Sequence, residues 1–228
     1  MIHTASPFGD GFNQLVLDVY RTGGSEALDK IMDFYEAHRA QDQDHQLKHR
    51  CLLLAGDVLE RQGDLTGASA VYRDVLREKA SPDDAYMLVV QKAASVLGRL
   101  DKQPEAALLI EHALHQPQRN PLQALYLLDQ YVGVTDPQAE LPAVAGPLFG
   151  WVCTALDVQP AGADPRAAIA TLAATAKAEG KALTLLFASA GEVSKAENVQ
   201  RLHTFIAGAR VKLFRDEAKR YLDSLQAR

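Results

Sequence analysis

The chain has 228 residues, of which 47% are apolar and 23% charged, and its formal net charge is -5. That is enough polypeptide to bury a core without metal or disulfide staples, and the composition excludes a disordered, fibrous or membrane-embedded chain. The 24 Lys and Arg against 29 Asp and Glu argue against a dedicated nucleic-acid binder, whose affinity rests on cations facing phosphates. Cys51 and Cys153 stand far apart in apolar stretches, unlike the dense paired cysteines of small secreted scaffolds, so a reducing, cytoplasmic setting is expected. No basic cluster followed by an apolar core opens the chain, so no leader is expected. The longest uncharged run, Leu141 to Leu156, is broken by Pro142, Gly146, Pro147 and Gly150 and is too short to cross a bilayer.

Taken in chain order, Phe12, Leu15, Val16 and Val19 keep the spacing of one helix face until Gly23 and Gly24. Ser25 is the expected cap of a second helix, with Leu28, Ile31, Met32 and Tyr35 as its buried stripe. Leu47, Cys51, Leu54, Ala55 and Val58 predict a third helix that Gly63 stops, and Asp64 offers a cap for the return helix through Ala68, Tyr72, Val75 and Leu76. Ser81-Pro82-Asp83-Asp84 reads as the start of another hairpin, with first stripe Tyr86, Val89, Val90, Ala93, Val96, Leu97 and Leu100 and second stripe Ala106, Leu109, Ile110, Ala113 and Leu114. Asn120-Pro121 opens a further helix. Half of the ten prolines then lie between Pro137 and Pro165, which predicts a connector with a short helix from about Leu148 to Leu156 carrying Trp151. Asp164-Pro165 starts an alanine-rich helix that Gly180 is expected to interrupt, leaving a strand open at Ala182 to Ala188. One last helix from about Glu192 to the end is expected to cap the array. The resulting division is 1–132, a connector at 133–165, and C-terminal helices at 166–228.

Recurrence matters more than any one helix, because hairpins that cannot bury their own faces must stack. Leu52-x2-Ala55-Gly56-x2-Leu59, then Gly63, Ala68-x3-Tyr72 and Pro82, is echoed by Val90-x2-Ala93-Ala94-x2-Leu97, then Ala106-x3-Ile110 and Pro117. Val16, Val19, Gly23, Leu28 and Met32 make a fainter first copy. This set of small and aromatic positions resembles the tetratricopeptide repeat family over about residues 12–117. The usual tryptophan is missing, and Ala68 and Ala106 are 38 apart rather than about 34.

The resemblance implies an all-α superhelical stack of antiparallel hairpins, about ten helices in the whole chain, with a concave face built from the first helix of each pair. Carried over position by position, that face would hold Arg50, Leu53, Asp57, Glu60 and Arg61 in the clearest repeat and Leu88, Gln91, Ser95 and Arg99 in the next. It implies a partner that is a peptide or another protein. Leu53 and Asp57 stand where the carboxylate-clamping members of the family carry Lys or Asn. The plain alternative is that these residues are solvated helix faces in a repeat whose groove is filled by its own C-terminal segment.

Chemistry-bearing patterns are sparse. His45 and His49 are four apart, and His112 and His115 three apart beside Glu111, but a metal site needs a third ligand and none stands at fixed spacing, so no metal or cofactor is expected. Cys51 lies in a core stripe, where a thiol packs as a small hydrophobe, although Arg50 beside it would favour thiolate. Gly180-Lys181 lacks the rest of a phosphate loop, and Ser189 lacks the glycine that a nucleophile elbow needs before it. Asp83 and Asp84 are explained by a helix start. From Val199 onward seven Lys or Arg (Arg201, Arg210, Lys212, Arg215, Lys219, Arg220, Arg228) face three acids, while the preceding residues are acidic. The expectation is a non-catalytic protein-binding adaptor that neutralises or escorts one cognate protein, as an immunity protein or secretion chaperone does, its acidic body steering a basic partner. The rivals are a small enzyme with a pocket near the connector at Trp151 and a nucleic-acid binder using the basic C-terminal helix.

Overall fold

The computed structural model describes residues 9–42, 45–77, 84–160 and 162–227. Among them are eleven α-helices and no strand: α1 (Gly9–Thr22), α2 (Gly24–His38), α3 (Gln46–Arg61), α4 (Leu65–Arg77), α5 (Asp84–Arg99), α6 (Gln103–Leu114), α7 (Pro121–Val134), α8 (Ala145–Leu156), α9 (Pro165–Ala188), α10 (Lys195–Gly208) and α11 (Lys212–Gln226). Among the described residues the fold is therefore all-α, most helices packing on their neighbours in the chain, consistent with a helical repeat stack, while α9 packs chiefly on α7. No helix of the described residues is long and apolar enough to cross a membrane. Contacts divide the chain into two compact units between Arg119 and Asn120, whereas composition placed the change at 133.

In the first unit α1 pairs with α2, α3 with α4 and α5 with α6, and α3 also touches α1 and α5, so the first helices of successive hairpins lie side by side. Leu15 and Val19, Ala27 and Ile31, Leu47, Cys51, Leu54 and Val58 form one continuous core, with Phe12, Val16, Leu28 and Tyr35 half-buried against it; in α2 the buried stripe includes Ala27, and Met32, expected in it, is exposed. A side chain of this kind contributes about 1.5–3 kcal/mol when fully withdrawn from water. Gly63 ends α3 at φ 81, a left-handed turn that a Cβ would strain, and the Asp64 carboxylate then accepts the Gly67 N–H at 2.8 Å to start α4.

A close approach in the unit joins α3 and α4. A Cβ added to Gly56 would lie 2.1 Å from Cε1 of Tyr72, whose residue is wholly buried. Glycine at this point lets the Tyr72 ring lie flat on the α3 backbone. Ala68, one turn earlier on α4, is also wholly buried and keeps the two helices close.

Caps fall partly where the sequence places them. Ser25 does not cap α2; Gly23 precedes the helix at φ 67 without any side-chain bond, so the turn is made by backbone freedom instead. Asp42 caps α3 from a distance, its buried carboxylate accepting the N–H groups of Leu47 and Lys48, each at 2.9 Å. The expected start at Ser81, Pro82 and Asp83 lies outside the described residues.

In the second unit Asn120 and Asp164 cap α7 and α9 as expected, each accepting two backbone N–H groups. Three expectations are corrected. Gly180 does not interrupt α9, and Ala182 to Ala188 is helix rather than strand: α9 runs 24 residues, and the Phe214 ring of α11 packs against the Gly180 Cα side, 3.2 Å from where a Cβ would be. The C-terminal segment is two helices rather than one. Chain direction changes at Ala209–Val211 because the Glu179 carboxylate of α9 accepts the N–H groups of Arg210 (2.7 Å) and Val211 (3.0 Å), which supplies the donors of a new helix start with an acceptor.

Two glycines separate packing from propensity. Gly56→Ala should destabilise by about 1–3 kcal/mol through overpacking on Tyr72. Gly98→Ala, with nothing within 4 Å of the new methyl, should instead stabilise by roughly 0.5–1 kcal/mol. Urea unfolding midpoints measure both, and shifts of the same sign would refute the close contact.

Candidate functional site

The Tyr72 ring crosses α3 beneath Gly56, and its hydroxyl emerges between two carboxylates that helix spacing puts on one face. It donates to Glu60 Oε1 at 2.9 Å, with Asp57 Oδ1 3.3 Å away. Each acid then meets a cation of α5: Lys92 lies 2.8 Å from Asp57, and the Arg99 guanidinium 2.9 Å from Glu60. Three helices are joined by this one polar network. Asp57 and Glu60 are mostly shielded, so their pairing is worth more than that of a fully exposed ion pair.

On the opposite side of α3 the face meets α1. The Arg61 guanidinium sits 4.0 Å from the Tyr20 ring centroid, and that of Arg50 5.9 Å from the Phe12 centroid. Each such contact contributes about 0.5–1 kcal/mol at an exposed site and holds a long side chain in place.

Of the nine residues expected on the face, Asp57, Glu60 and Arg99 are brought together in the network, and Arg50 and Arg61 flank it on the aromatic side. Leu88 and Ser95 are exposed on α5, and Leu53 and Gln91 half-buried. The sequence reading omitted Lys92, Phe12, Tyr20 and the Tyr72 hydroxyl. Lys92 keeps the three-and-seven spacing to Ser95 and Arg99 that would have placed it on that face; the aromatic partners depend on how α1 lies on α3, which no local pattern encodes.

The other candidates take ordinary places. His49 is buried in α3 while His45 is exposed, and among the described residues no group of three or more His, Cys, Asp or Glu stands close enough to hold a metal ion. Cys51 is buried, and desolvation, with Asp42 adding to it, pushes its thiol from 9.0 up to about 12, so the influence of Arg50 does not prevail. Ser189 lies in a short 3-10 turn after α9. Several cations of the basic C-terminal segment are paired within their own unit: Arg201 with Glu197, Arg215 with Asp157, Lys212 with Asp216 and Arg220 with Glu217. Comparisons with protein-family models, curated proteins and solved structures find no match for this chain.

Burial raises the Tyr72 phenol above its ordinary range, and the hydrogen bond to Glu60 raises it further. The folded chain therefore keeps protons on Cys51 and Tyr72 that the unfolded chain releases near 9 and 10. Their contribution is complete below those values and is lost as pH rises, by up to about 1.4 kcal/mol per pH unit for each group. Unfolding midpoints between pH 8 and 11 should fall accordingly, and fall less steeply in Cys51→Ala and Tyr72→Phe. At neutral pH Tyr72→Phe should cost about 1–2 kcal/mol, since it removes a hydrogen bond to a charged, shielded carboxylate; an unchanged midpoint would remove Tyr72 from the network.

Proposed function

We propose that the first unit is a tetratricopeptide-like, non-catalytic adaptor that holds a protein segment on the face shared by α1, α3 and α5. The observation that carries this reading is the charge and anchoring of that face. Among the described contacts of that face, Arg50, Arg61, Lys92 and Arg99 stand with Asp57 and Glu60, and two of the guanidiniums lie over aromatic rings. Arginine over aromatic rings and exposed apolar side chains, Leu88 of α5 among them, are chemistry suited to protein interfaces.

The whole-chain charge of -5 suggested a basic partner. A docking segment, however, feels chiefly the charges within about 8–10 Å, the screening length at physiological salt. Locally the cations are in excess, and the two carboxylates already have partners. An acidic segment is therefore the better fit, with Arg50 and Arg61 as the cations it meets. Escort or neutralisation of a single cognate protein is the role we infer for such a face. Its setting is the cytoplasm, a reading supported by two buried cysteines that remain thiols.

The test is selection from a display library of random 15-residue peptides on the immobilised full chain. Asp- and Glu-rich sequences should be enriched, their binding should weaken with salt, and Arg50→Glu with Arg61→Glu should reduce it at least roughly tenfold. That double variant should lose no more than about 1–2 kcal/mol of stability, the value of two exposed cation–π contacts. Enrichment of basic peptides, or binding that survives both substitutions, would reject the reading.

A further inference from the structure

The second unit contains a preformed cavity that the proposed adaptor face does not use. Its volume is about 310 Å³, at the small end of the range for small-molecule sites, and α9 supplies its floor through Ala168, Thr171, Leu172 and Thr175, which are spaced along one helical face. The chain after α8 forms a second wall with Asp157, Val158 and Gln159, and Arg210 and Arg215 close the third side. Trp151, expected near a pocket, is not in this lining and points outward from α8 with 38% of its surface exposed.

Two fixed contacts hold the mouth open. Arg215 donates through Nη1 to the carbonyls of Ala209 (3.2 Å) and Arg210 (2.9 Å) and through Nη2 to Asp157 Oδ2 at 3.0 Å, tying the α10–α11 junction to the end of α8. From the other side Glu179 accepts the N–H groups of Arg210 and Val211. The wall is thus set before any ligand arrives, which lowers the ordering cost of binding.

The charges define what the cavity accepts. Arg215 is neutralised by Asp157, and its Nη1 donors are taken up by two carbonyls. The Arg210 guanidinium makes no ion pair or hydrogen bond among the described residues, and neither does the Thr171 hydroxyl on the rim. One cation and one hydroxyl donor therefore stand over a floor of buried Ala168 and Leu172 and half-buried Val158. The Asp157 carboxylate in the lining opposes a second negative charge on a ligand.

We propose that this cavity binds a small monocarboxylate with an apolar body, its head on Arg210 and Thr171 and its body on the α9 floor. The inference stands apart from the adaptor reading, because every residue it uses lies in the second unit.

The test is an amide-resolved NMR titration of the full chain with phenylacetate and with hexanoate, using phenylacetamide and inorganic phosphate as comparisons. At least one of the two carboxylates should saturate with a Kd on the order of 1 mM, as expected for ligands of this size, and should perturb the Thr171, Thr175 and Arg210 amides first. Phenylacetate should bind roughly tenfold tighter than phenylacetamide, the value of a charge-assisted hydrogen bond, and Arg210→Gln should erase that preference. Thr171→Trp, at an exposed position, should block the acid and the amide alike while the rest of the spectrum stays dispersed. Absence of saturation with both carboxylates, equal binding of acid and amide, or tighter binding of phosphate would overturn the proposal.

Discussion

The first unit depends on the absence of a single methyl group. Because Gly56 has no Cβ, the Tyr72 ring can lie against the α3 backbone; because the ring lies there, its hydroxyl reaches the Asp57 and Glu60 carboxylates. Those acids are then oriented toward Lys92 and Arg99, which lock the first helix of the next hairpin in register. A steric fact of the core thus becomes the electrostatic layout of a surface. Apolar burial supplies the free energy of the stack, but it is non-directional and would tolerate small sliding of one hairpin on another. The hydroxyl and its four charged neighbours set the register.

The same network determines which groups the face has to offer. A ligand carboxylate that took Arg99 would have to displace Glu60, leaving that shielded acid without its cation, at a cost comparable to the gain. Arg50 and Arg61 carry no such obligation, since their partners are rings rather than acids. Selectivity on this face follows from what is already engaged as much as from what is exposed.

Helix positions and core stripes were legible in the sequence because each rests on spacing within one turn or two. Leu47, Cys51, Leu54 and Val58 are buried where periodicity places them, and Asn120 and Asp164 cap the helices they precede. What local pattern could not supply is set by residues distant in sequence. Gly180 resembles a break, yet it is a packing site for Phe214. The real break, at Ala209–Val211, is imposed by Glu179 thirty residues upstream. Ser25 and Asp42 show the same division: the nearby hydroxyl is left unused, while a carboxylate set back from its helix does the capping. On the candidate face the charged residues of α3 were named through the resemblance to the tetratricopeptide pattern, but the aromatic partners of Arg50 and Arg61 required the packing of α1 on α3 to be known.

Trp151 is the sole tryptophan of the chain and stands half-exposed on α8, in the second unit. Its emission spectrum is consequently a private reporter on that unit, blind to the hairpins of residues 9–114, which carry no tryptophan. Circular dichroism sees helices of both. Any gap between a melt followed by fluorescence and one followed by ellipticity is thus a direct measure of how independently the two halves come apart.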